Sequence, residues 1–204
     1  ALSMLLAWSR GIFEYDFIAK KLPKSWQENT IHRIKRSSEI NVGVIGAGRI
    51  GSHFLRNAES IGFKTSYYDP YINQSSLSSL NAIQHSSLDS ILSSCDVISI
   101  HTPLNQETKG MINKNFLNKM KHGSCLINTA RGELVKSLDE LILEVNKGRL
   151  SGLYLDVLPE EPPISDSLID AWQSSDSPNK EGRIIINPHT AYYSKEAYIE
   201  MRTK

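Results

Sequence analysis

Short apolar segments alternate with helical stretches along most of the chain, and this alternation constrains the fold more than any other feature. The apolar segments are 40–45, 63–68, 96–100, 125–128, 153–157 and 184–187, with a weaker one at 82–85, and the helical stretches are 50–61, 88–94, 114–120 and 138–147. Such an alternation is typical of a parallel sheet covered by helices on both faces. We therefore predict an α/β fold with a doubly wound parallel sheet. The last helical stretch opens with Ser137 and Glu140, the pattern of a capping box, and closes at Gly148.

The composition excludes several classes of protein. Of the 204 residues, 40% are hydrophobic, which is too many for a disordered chain. The 23 basic and 22 acidic residues nearly cancel, so no overall field favours nucleic acid or a membrane surface. The basic cluster at 31–36 lacks interleaved aromatic residues, and we interpret it as a solvated linker. We expect neither a nucleic-acid nor a membrane partner.

Two cysteines indicate the redox environment. Cys95 and Cys125 each lie beside an apolar segment, which favours two reduced thiols in the core of a cytoplasmic protein. No group of cysteines and histidines has the spacing of a zinc site, so we expect no metal.

Residues 2–13 have the pattern of an amphipathic helix. Its apolar face is expected to contain Leu2, Leu5, Leu6, Ser9, Ile12 and Phe13. No capping residue precedes this helix, and we expect the chain to begin inside a longer protein. The serine-rich segment 75–79 is too short to be a linker, and the polar stretch 174–182 is expected to be a surface loop.

A glycine-rich turn follows the first of the apolar segments. Gly46, Gly48 and Gly51 form a G-x-G-x-x-G run that opens a helix. In this context the first glycine allows a tight turn, the second lets a pyrophosphate approach, and the third lets helix and strand pack closely. Asp69 follows eighteen residues after Gly51, at the end of the next strand, where its carboxylate could bind ribose hydroxyls and repel a 2′-phosphate. The pattern predicts a Rossmann-type fold and favours NAD over NADP.

Three further blocks of residues each follow a predicted strand. They are 101–104, 128–132 and 187–190, and the segment 155–162 (LDVLPEEP) lies between the last two. Ligands of doubly wound sheets bind at the carboxyl ends of the strands. Any one residue in these blocks could be an ordinary turn or surface residue, but together they predict a functional site.

The motifs GAGRIG, YDP, HTPLNQET, INTARGELV, LDVLPEEPP and NPHTAYYS occur in this order. In this respect the chain resembles the NAD-binding domain of the D-isomer-specific 2-hydroxyacid dehydrogenases. The tail HTAYYSKEAYIEMR resembles the C-terminal-binding-protein branch of that family, the NAD(H)-sensing transcriptional corepressors.

The resemblance implies three catalytic residues. Arg131 would bind the substrate carboxylate and polarise the keto group, and His189 would be the general acid when a 2-keto acid is reduced. Glu161, rather than the adjacent Glu160, would pair with His189. These roles suit the residue types, because a guanidinium stabilises developing negative charge and an imidazole titrates near neutral pH.

The resemblance also implies a cofactor site. Arg49 and Ile50 would offer amides to the pyrophosphate, Thr102 and Pro103 would line the adenosine side, and Asp156 would lie near the nicotinamide. The full implied set is Gly46, Gly48, Arg49, Ile50, Gly51, Asp69, Thr102, Pro103, Thr129, Ala130, Arg131, Asp156 and His189.

The family pattern further divides the chain. Residues 1–39 would be the crossover helix and linker, 40–193 the NAD(P)-binding Rossmann domain, and 194–204 the start of the return helix, with the substrate-binding domain outside this chain. We expect the chain to bind NAD(H) and to act poorly alone on a 2-keto or D-2-hydroxy acid. The resemblance implies a homodimer formed through the cofactor domain, and an exposed apolar face over residues 2–17 would suit that interface. The identity of the acid stays open, and phosphite oxidation, which uses similar residues, is a further possible reaction. The alternative function is an NADH-sensing corepressor.

Overall fold

The computed structural model describes residues 1–21, 26–72, 77–174 and 182–203. Within these residues the strands are β1 (Asn41–Ile45), β2 (Lys64–Tyr68), β3 (Ile83–Gln84), β4 (Val97–Ile100), β5 (Ser124–Asn128), β6 (Leu150–Leu155) and β7 (Ile184–Ile186). The helices are α1 (Leu2–Arg10), α2 (Ile12–Ala19), α3 (Arg49–Ser60), α4 (Leu88–Ser94), α5 (Lys114–Lys119), α6 (Leu138–Asn146), α7 (Ser167–Gln173) and α8 (Lys195–Thr203).

The strands form one parallel sheet in the order β3-β2-β1-β4-β5-β6-β7. From β1 the chain builds outward through β2 to β3, then returns to place β4 on the other side of β1. The direction of winding therefore reverses between β1 and β4. A reversal of this kind opens a crevice at the carboxyl ends of the two strands, where doubly wound proteins bind ligands.

Helices cover both faces of the sheet, which confirms the doubly wound α/β fold. Neighbouring side chains of a strand point to opposite faces, so Val44 packs in a cluster with α1 and α3 while Ile45 packs in a second cluster with α4, α5, α6 and α7. Strands β4 and β5 are buried along their whole length. This burial explains why they read as continuous apolar runs rather than as alternating ones.

The prediction of one helix over residues 2–13 was wrong. Gly11 adopts a left-handed conformation, with φ of 60°, and separates α1 from α2. The buried side of α1 carries Met4, Leu5 and Trp8, and the Trp8 indole donates a hydrogen bond to Ser151 Oγ at 3.0 Å. The expected apolar face therefore splits: Leu5 and Ser9 are buried and Leu2 is half-buried, whereas Leu6, Ile12 and Phe13 are exposed.

The helix α7 was not predicted, although its cap is visible in the sequence. The Asp166 carboxylate accepts hydrogen bonds from the amides of Leu168 and Ile169, as an N-cap residue does. The predicted capping box of α6 forms only in part. Ser137 Oγ accepts from the Glu140 amide, but within the described residues the buried Glu140 Oε2 has no hydrogen-bond partner.

Both cysteines are buried free thiols. Burial raises the pKa of Cys95 to about 12, so this thiol stays protonated and unreactive. Most of the expected surface loop 174–182 and part of the serine-rich segment 75–79 lie outside the described residues. None of the helices in the described ranges has both the length and the apolar character needed to cross a bilayer.

The close packing of α3 on β1 yields a stability prediction. A Cβ atom at Gly51 would lie 2.0 Å from the Gly46 carbonyl oxygen, which is backbone and cannot move aside. We expect Gly51→Ala to lower the free energy of unfolding by about 1–3 kcal/mol or more, measured by denaturant titration. Gly48→Ala is the control, because a Cβ there meets nothing within 4 Å, and we expect it to change stability by less than about 1 kcal/mol. Equal losses in the two variants would contradict this packing.

Candidate active site

The glycine turn joins β1 to α3 at the crevice. Gly46 has φ of 89° and donates its amide hydrogen to the Tyr68 carbonyl at 3.0 Å, which closes the turn against β2. Gly48 lies directly before α3, and no side chain caps this helix start. The first amides of α3 therefore face the crevice without a capping side chain, as they do in helix ends that bind phosphate.

The turn is packed at two glycines and open at the third. Gly46 and Gly51 are enclosed by backbone, whereas a Cβ at Gly48 would project into empty space. That space lies where the sequence predicted the pyrophosphate to approach. The residues of this turn therefore fit a dinucleotide.

Asp69 lies at the rim of the same turn. Its Oδ2 accepts a hydrogen bond from the Ala47 amide at 2.9 Å, and its Oδ1 accepts from the Tyr71 amide at 2.9 Å. Each carboxylate oxygen keeps a second lone pair that could accept from a ribose hydroxyl. The role of Asp69 in binding ribose stays a prediction, and the geometry adds that this carboxylate also shapes the glycine turn.

A cleft of about 690 Å³ opens beside the turn. It is lined by residues 48–50 of the glycine turn, 101–104 after β4 and 129–131 after β5. The structure thus brings together eight of the implied cofactor residues, namely Gly48, Arg49, Ile50, Thr102, Pro103, Thr129, Ala130 and Arg131. Gly46 and Gly51 lie within the turn, and Asp69 lies at its rim.

Asn128 holds the loop that carries Arg131. This residue ends β5 and is fully buried. Its side-chain oxygen accepts from the Ala130 amide at 3.0 Å, and its side-chain nitrogen donates to the Arg131 carbonyl at 2.9 Å. The motifs alone give Asn128 no role, although a polar residue at the end of an apolar strand is a usable signal.

Asp156 holds the turn that carries His189. Its side chain is only 1% exposed, and its two oxygens accept from the amides of Thr190 at 3.0 Å and Ala191 at 2.9 Å. The Asp156 carbonyl also accepts from the His189 amide at 2.8 Å. These bonds fix His189 at φ of 53°, a conformation that few residues other than glycine adopt. The implied contact between Asp156 and nicotinamide stays a prediction.

Glu161 and His189 form a hydrogen-bonded pair. The Glu161 Oε2 atom lies 2.7 Å from His189 Nδ1, and Glu161 Oε1 accepts from the Leu158 amide at 2.8 Å. The adjacent Glu160 has no comparable contact with His189 among the described residues. With Nδ1 facing the carboxylate, the imidazole has Nε2 left for another partner.

The charge on Glu161 is stabilised by its neighbours. Burial by itself would raise the pKa of this carboxyl group, but the Leu158 amide, the His189 hydrogen bond and the positive charge of Arg131 together lower the pKa below its ordinary value. Arg131 is exposed, and its Nη1 donates to the Ala130 carbonyl at 2.7 Å. Its guanidinium therefore acts on Glu161 through its electric field while its own donors stay accessible.

The other histidines lie apart from this pair. His101 directly follows β4 in the sequence, a position that suits either packing or a contact with the cofactor. It lines the cleft, with Nε2 at 2.9 Å from Ser99 Oγ and its ring against Phe54. Burial lowers the pKa of His101 to about 4, so its ring is neutral. His32, His53 and His122 are exposed, and His85 contacts Ser90.

No three His, Cys, Asp or Glu side chains come together as a metal site in the part of the chain that the structure describes. Glu161 and His189 line a second cavity of about 610 Å³ rather than the cleft beside the glycine turn, and Arg131 of that cleft is close enough for its charge to act on Glu161. The fold and the site define the class: an α/β dinucleotide-binding domain with a histidine–carboxylate pair in a pocket next to its cleft. Comparison with known families identifies it further. The chain belongs to the D-isomer specific 2-hydroxyacid dehydrogenases, and the family model described as their NAD binding domain matches residues 2–191.

Characterised relatives are longer dehydrogenases. The chain is 31% identical to the D-lactate dehydrogenase of Treponema pallidum over 211 aligned residues, which cover 98% of this chain and 60% of that protein. It is 32% identical to the D-3-phosphoglycerate dehydrogenase of Bacillus subtilis over 160 residues, which cover 78% of this chain and 28% of that protein.

Solved structures have the same fold. The D-lactate dehydrogenase from Aquifex aeolicus, crystallised with NAD and lactic acid, superposes with a TM-score of 0.84 at 30% identity and covers 98% of this chain. The match covers 61% of that structure, so the chain spans less than two thirds of the length of each of these relatives. The cofactor of this domain is NAD.

The pair of Glu161 and His189 yields a pH prediction. Because the pKa of Glu161 is lower in the folded than in the unfolded chain, its ionised form stabilises the fold above the unfolded pKa. This stabilisation is lost as the pH falls through the folded pKa. We expect His189→Ala to raise the pKa of Glu161, measured by carboxyl ¹³C NMR, because the variant removes one of the groups that favour the carboxylate. His122→Ala is the control, and a Glu161 pKa that does not move in His189→Ala would show that the pair is not coupled.

Proposed function

We propose that this protein is an NAD-dependent oxidoreductase that interconverts a 2-keto acid and a D-2-hydroxy acid. The observation that carries the proposal is the 2.7 Å contact between Glu161 Oε2 and His189 Nδ1 at the carboxyl ends of the strands. Membership of the dehydrogenase family and the names of the relatives support the class of reaction. When bound, NADH supplies the hydride.

His189 is the proton donor in this proposal. Reduction of the keto carbon leaves negative charge on its oxygen, and the protonated Nε2 of His189 donates a proton to that oxygen. Glu161 orients the ring through Nδ1 and stabilises the imidazolium before the transfer. In the direction of oxidation, Nε2 of the neutral ring accepts the hydroxyl proton.

Arg131 binds the substrate in this proposal. A planar guanidinium can bind a carboxylate through two parallel hydrogen bonds and can stabilise the charge that develops on the neighbouring oxygen. Arg131 is exposed at the cleft and lies on the loop that Asn128 holds in place. The donors needed for such binding are therefore accessible and positioned.

The cofactor would be held by the glycine turn and Asp69. The amides of Arg49 and Ile50 at the start of α3 suit a pyrophosphate, and the open space at Gly48 admits it. Asp69 favours unmodified ribose hydroxyls, because its negative charge repels a 2′-phosphate. The division into 1–39, 40–193 and 194–204 belongs to the same proposal.

The alternative of an NADH-sensing corepressor gains no support from the comparisons, which name dehydrogenases. The relatives act, by their names, on lactate and phosphoglycerate, and the acid used by this protein is open within the class of 2-keto and D-2-hydroxy acids. We expect the 204-residue chain alone to bind NADH but to turn over slowly, because Arg131 and Glu161 are open to water.

The proposed reaction is tested by kinetics. A screen of glyoxylate, pyruvate, hydroxypyruvate and 3-phosphohydroxypyruvate with NADH, followed by absorbance, should identify a substrate in a protein that includes this domain. In that protein we expect His189→Gln to lower kcat by about 10²–10⁴-fold, since it removes the proton donor. His122→Gln is the matched control, because His122 is exposed and lies before β5, at the opposite end of the strands. Full activity in His189→Gln would refute the assigned role.

We also propose a homodimer and a cytoplasmic location. Both cysteines are buried free thiols, as expected in a reducing compartment. Exposed apolar side chains on the first two helices, at Leu6, Ile12 and Phe13, would suit a contact with a second copy.

The dimer proposal is tested by a charge substitution. Ile12 is 54% exposed, and we expect Ile12→Arg to convert a dimer to a monomer in multi-angle light scattering, because the arginine would be buried without a partner at the interface. Ile83→Arg is the control, since Ile83 is 65% exposed on the edge strand β3. A monomeric wild-type chain at high concentration, or a dimer that survives Ile12→Arg, would contradict this interface.

A further inference from the structure

A hydrogen bond between Tyr71 and Glu107 crosses the crevice. The Tyr71 hydroxyl donates to Glu107 Oε2 at 2.5 Å. Tyr71 follows β2 and Glu107 follows β4, and β1 lies between these strands in the sheet. Since neighbouring strands are about 4.8 Å apart, the two loops start about 10 Å from each other. The hydrogen bond therefore joins the segments that follow the two strands flanking β1, on either side of the strand that leads into the glycine turn.

The Tyr71 end of this bond is fixed to the glycine turn. The Asp69 carboxylate accepts one hydrogen bond from the Tyr71 amide and another from the Ala47 amide inside the turn. One side chain thus links the predicted ribose-binding residue, the phosphate-binding turn and the backbone of Tyr71. The position of the phenol depends on the same carboxylate that is expected to bind adenosine.

The Glu107 end is fixed by its own loop. The side-chain oxygen of Asn105 accepts from the amides of Glu107 and Thr108, each at 2.9 Å, and the Thr108 hydroxyl donates to the Pro103 carbonyl at 2.6 Å. Pro103 lines the cleft. The loop therefore holds Glu107 in a set position relative to the cleft wall.

The bond has little to contribute to folding. Tyr71 is 78% exposed, and a hydrogen bond between exposed side chains competes with water. The hydrogen bond to Glu107 and the charge of that carboxylate raise the pKa of Tyr71, which agrees with a phenol that donates a hydrogen bond to a carboxylate. A well-positioned bond that spans a ligand crevice but adds little stability suits a role in enclosing the ligand.

We propose that Tyr71 and Glu107 form a clasp across the adenosine end of the cofactor cleft and slow the release of NAD. The clasp closes the end of the crevice that Asp69 marks, between the loops after β2 and β4. A bound adenosine would shield the hydrogen bond from water, and the bond would in turn restrict the path by which the adenosine leaves. This inference rests on binding of NAD in the crevice and does not depend on the substrate.

The clasp is tested by binding measurements on the 204-residue chain. We expect Tyr71→Phe to weaken NADH binding about 3- to 10-fold in a fluorescence titration, with most of the change in the dissociation rate measured by stopped flow. In Tyr71→Phe the affinity for ADP-ribose should fall by the same factor. The affinity for nicotinamide mononucleotide, which lacks the adenosine, should not change. Affinity that changes less than twofold, or that becomes tighter because the bond had blocked the site, would overturn the clasp.

Two further variants test the pairing itself. Glu107→Ala should lower the affinity for NADH as much as Tyr71→Phe does. The double variant should bind NADH as tightly as either single variant, because each change breaks the same bond. Additive losses would refute the pairing. Tyr15→Phe is the matched control, since the Tyr15 hydroxyl makes an exposed bond of 2.5 Å to the Glu28 carbonyl, in a groove on α2 and the segment that follows it. A wild-type chain that bound no NADH would refute both the cofactor site and the clasp. A wild-type chain that bound NADH, with variants that bound it equally well, would refute the clasp alone.

Discussion

Two buried polar side chains at neighbouring strand ends fix the geometry on which the candidate site depends. Asn128 ends β5 and Asp156 follows β6, and each is almost fully buried. A buried polar group without a hydrogen-bond partner costs about 1–3 kcal/mol, so each side chain constrains the loop that satisfies it. The Asn128 amide group makes its hydrogen bonds with the backbone of the loop that carries Arg131. The Asp156 carboxylate accepts its hydrogen bonds from the backbone of the turn that carries His189. The backbone that carries each of the two candidate side chains, Arg131 and His189, is therefore held from the core rather than from the surface.

This arrangement explains how His189 can occupy a strained backbone conformation. A non-glycine residue with positive φ costs about 1–3 kcal/mol and persists only where its surroundings determine it. Three amides in a row, from His189 to Ala191, donate to Asp156, and Glu161 holds the ring from the other side. The strain is offset by charge-assisted bonds to a buried carboxylate, and the result is an imidazole whose free nitrogen has a defined direction.

Much of the fold could be predicted from the sequence, because continuous apolar segments and glycine turns report burial directly. The break at Gly11 was missed since a glycine inside an apolar periodic pattern does not by itself show a left-handed turn. The helix α7 was missed despite the cap at Asp166, because its short apolar pattern lies between prolines and a polar stretch. Local sequence reports propensity, whereas the path of the chain between elements is settled by packing.

The candidate site divides in the same way. The type and order of its residues could be predicted from the motifs. The hydrogen bonds by which Asp156 holds the turn of His189 could not, because its partners lie 34 and 35 residues away in sequence. The bond between Tyr71 and Glu107 likewise joins residues 36 apart that only the strand order brings together. Asp69 shows the physical reason: a carboxylate assigned to a ligand by its motif also holds the Ala47 and Tyr71 amides. One side chain thus holds both the glycine turn after β1 and the start of the segment after β2, which is why its partners are set by the strand order and not by the motif alone.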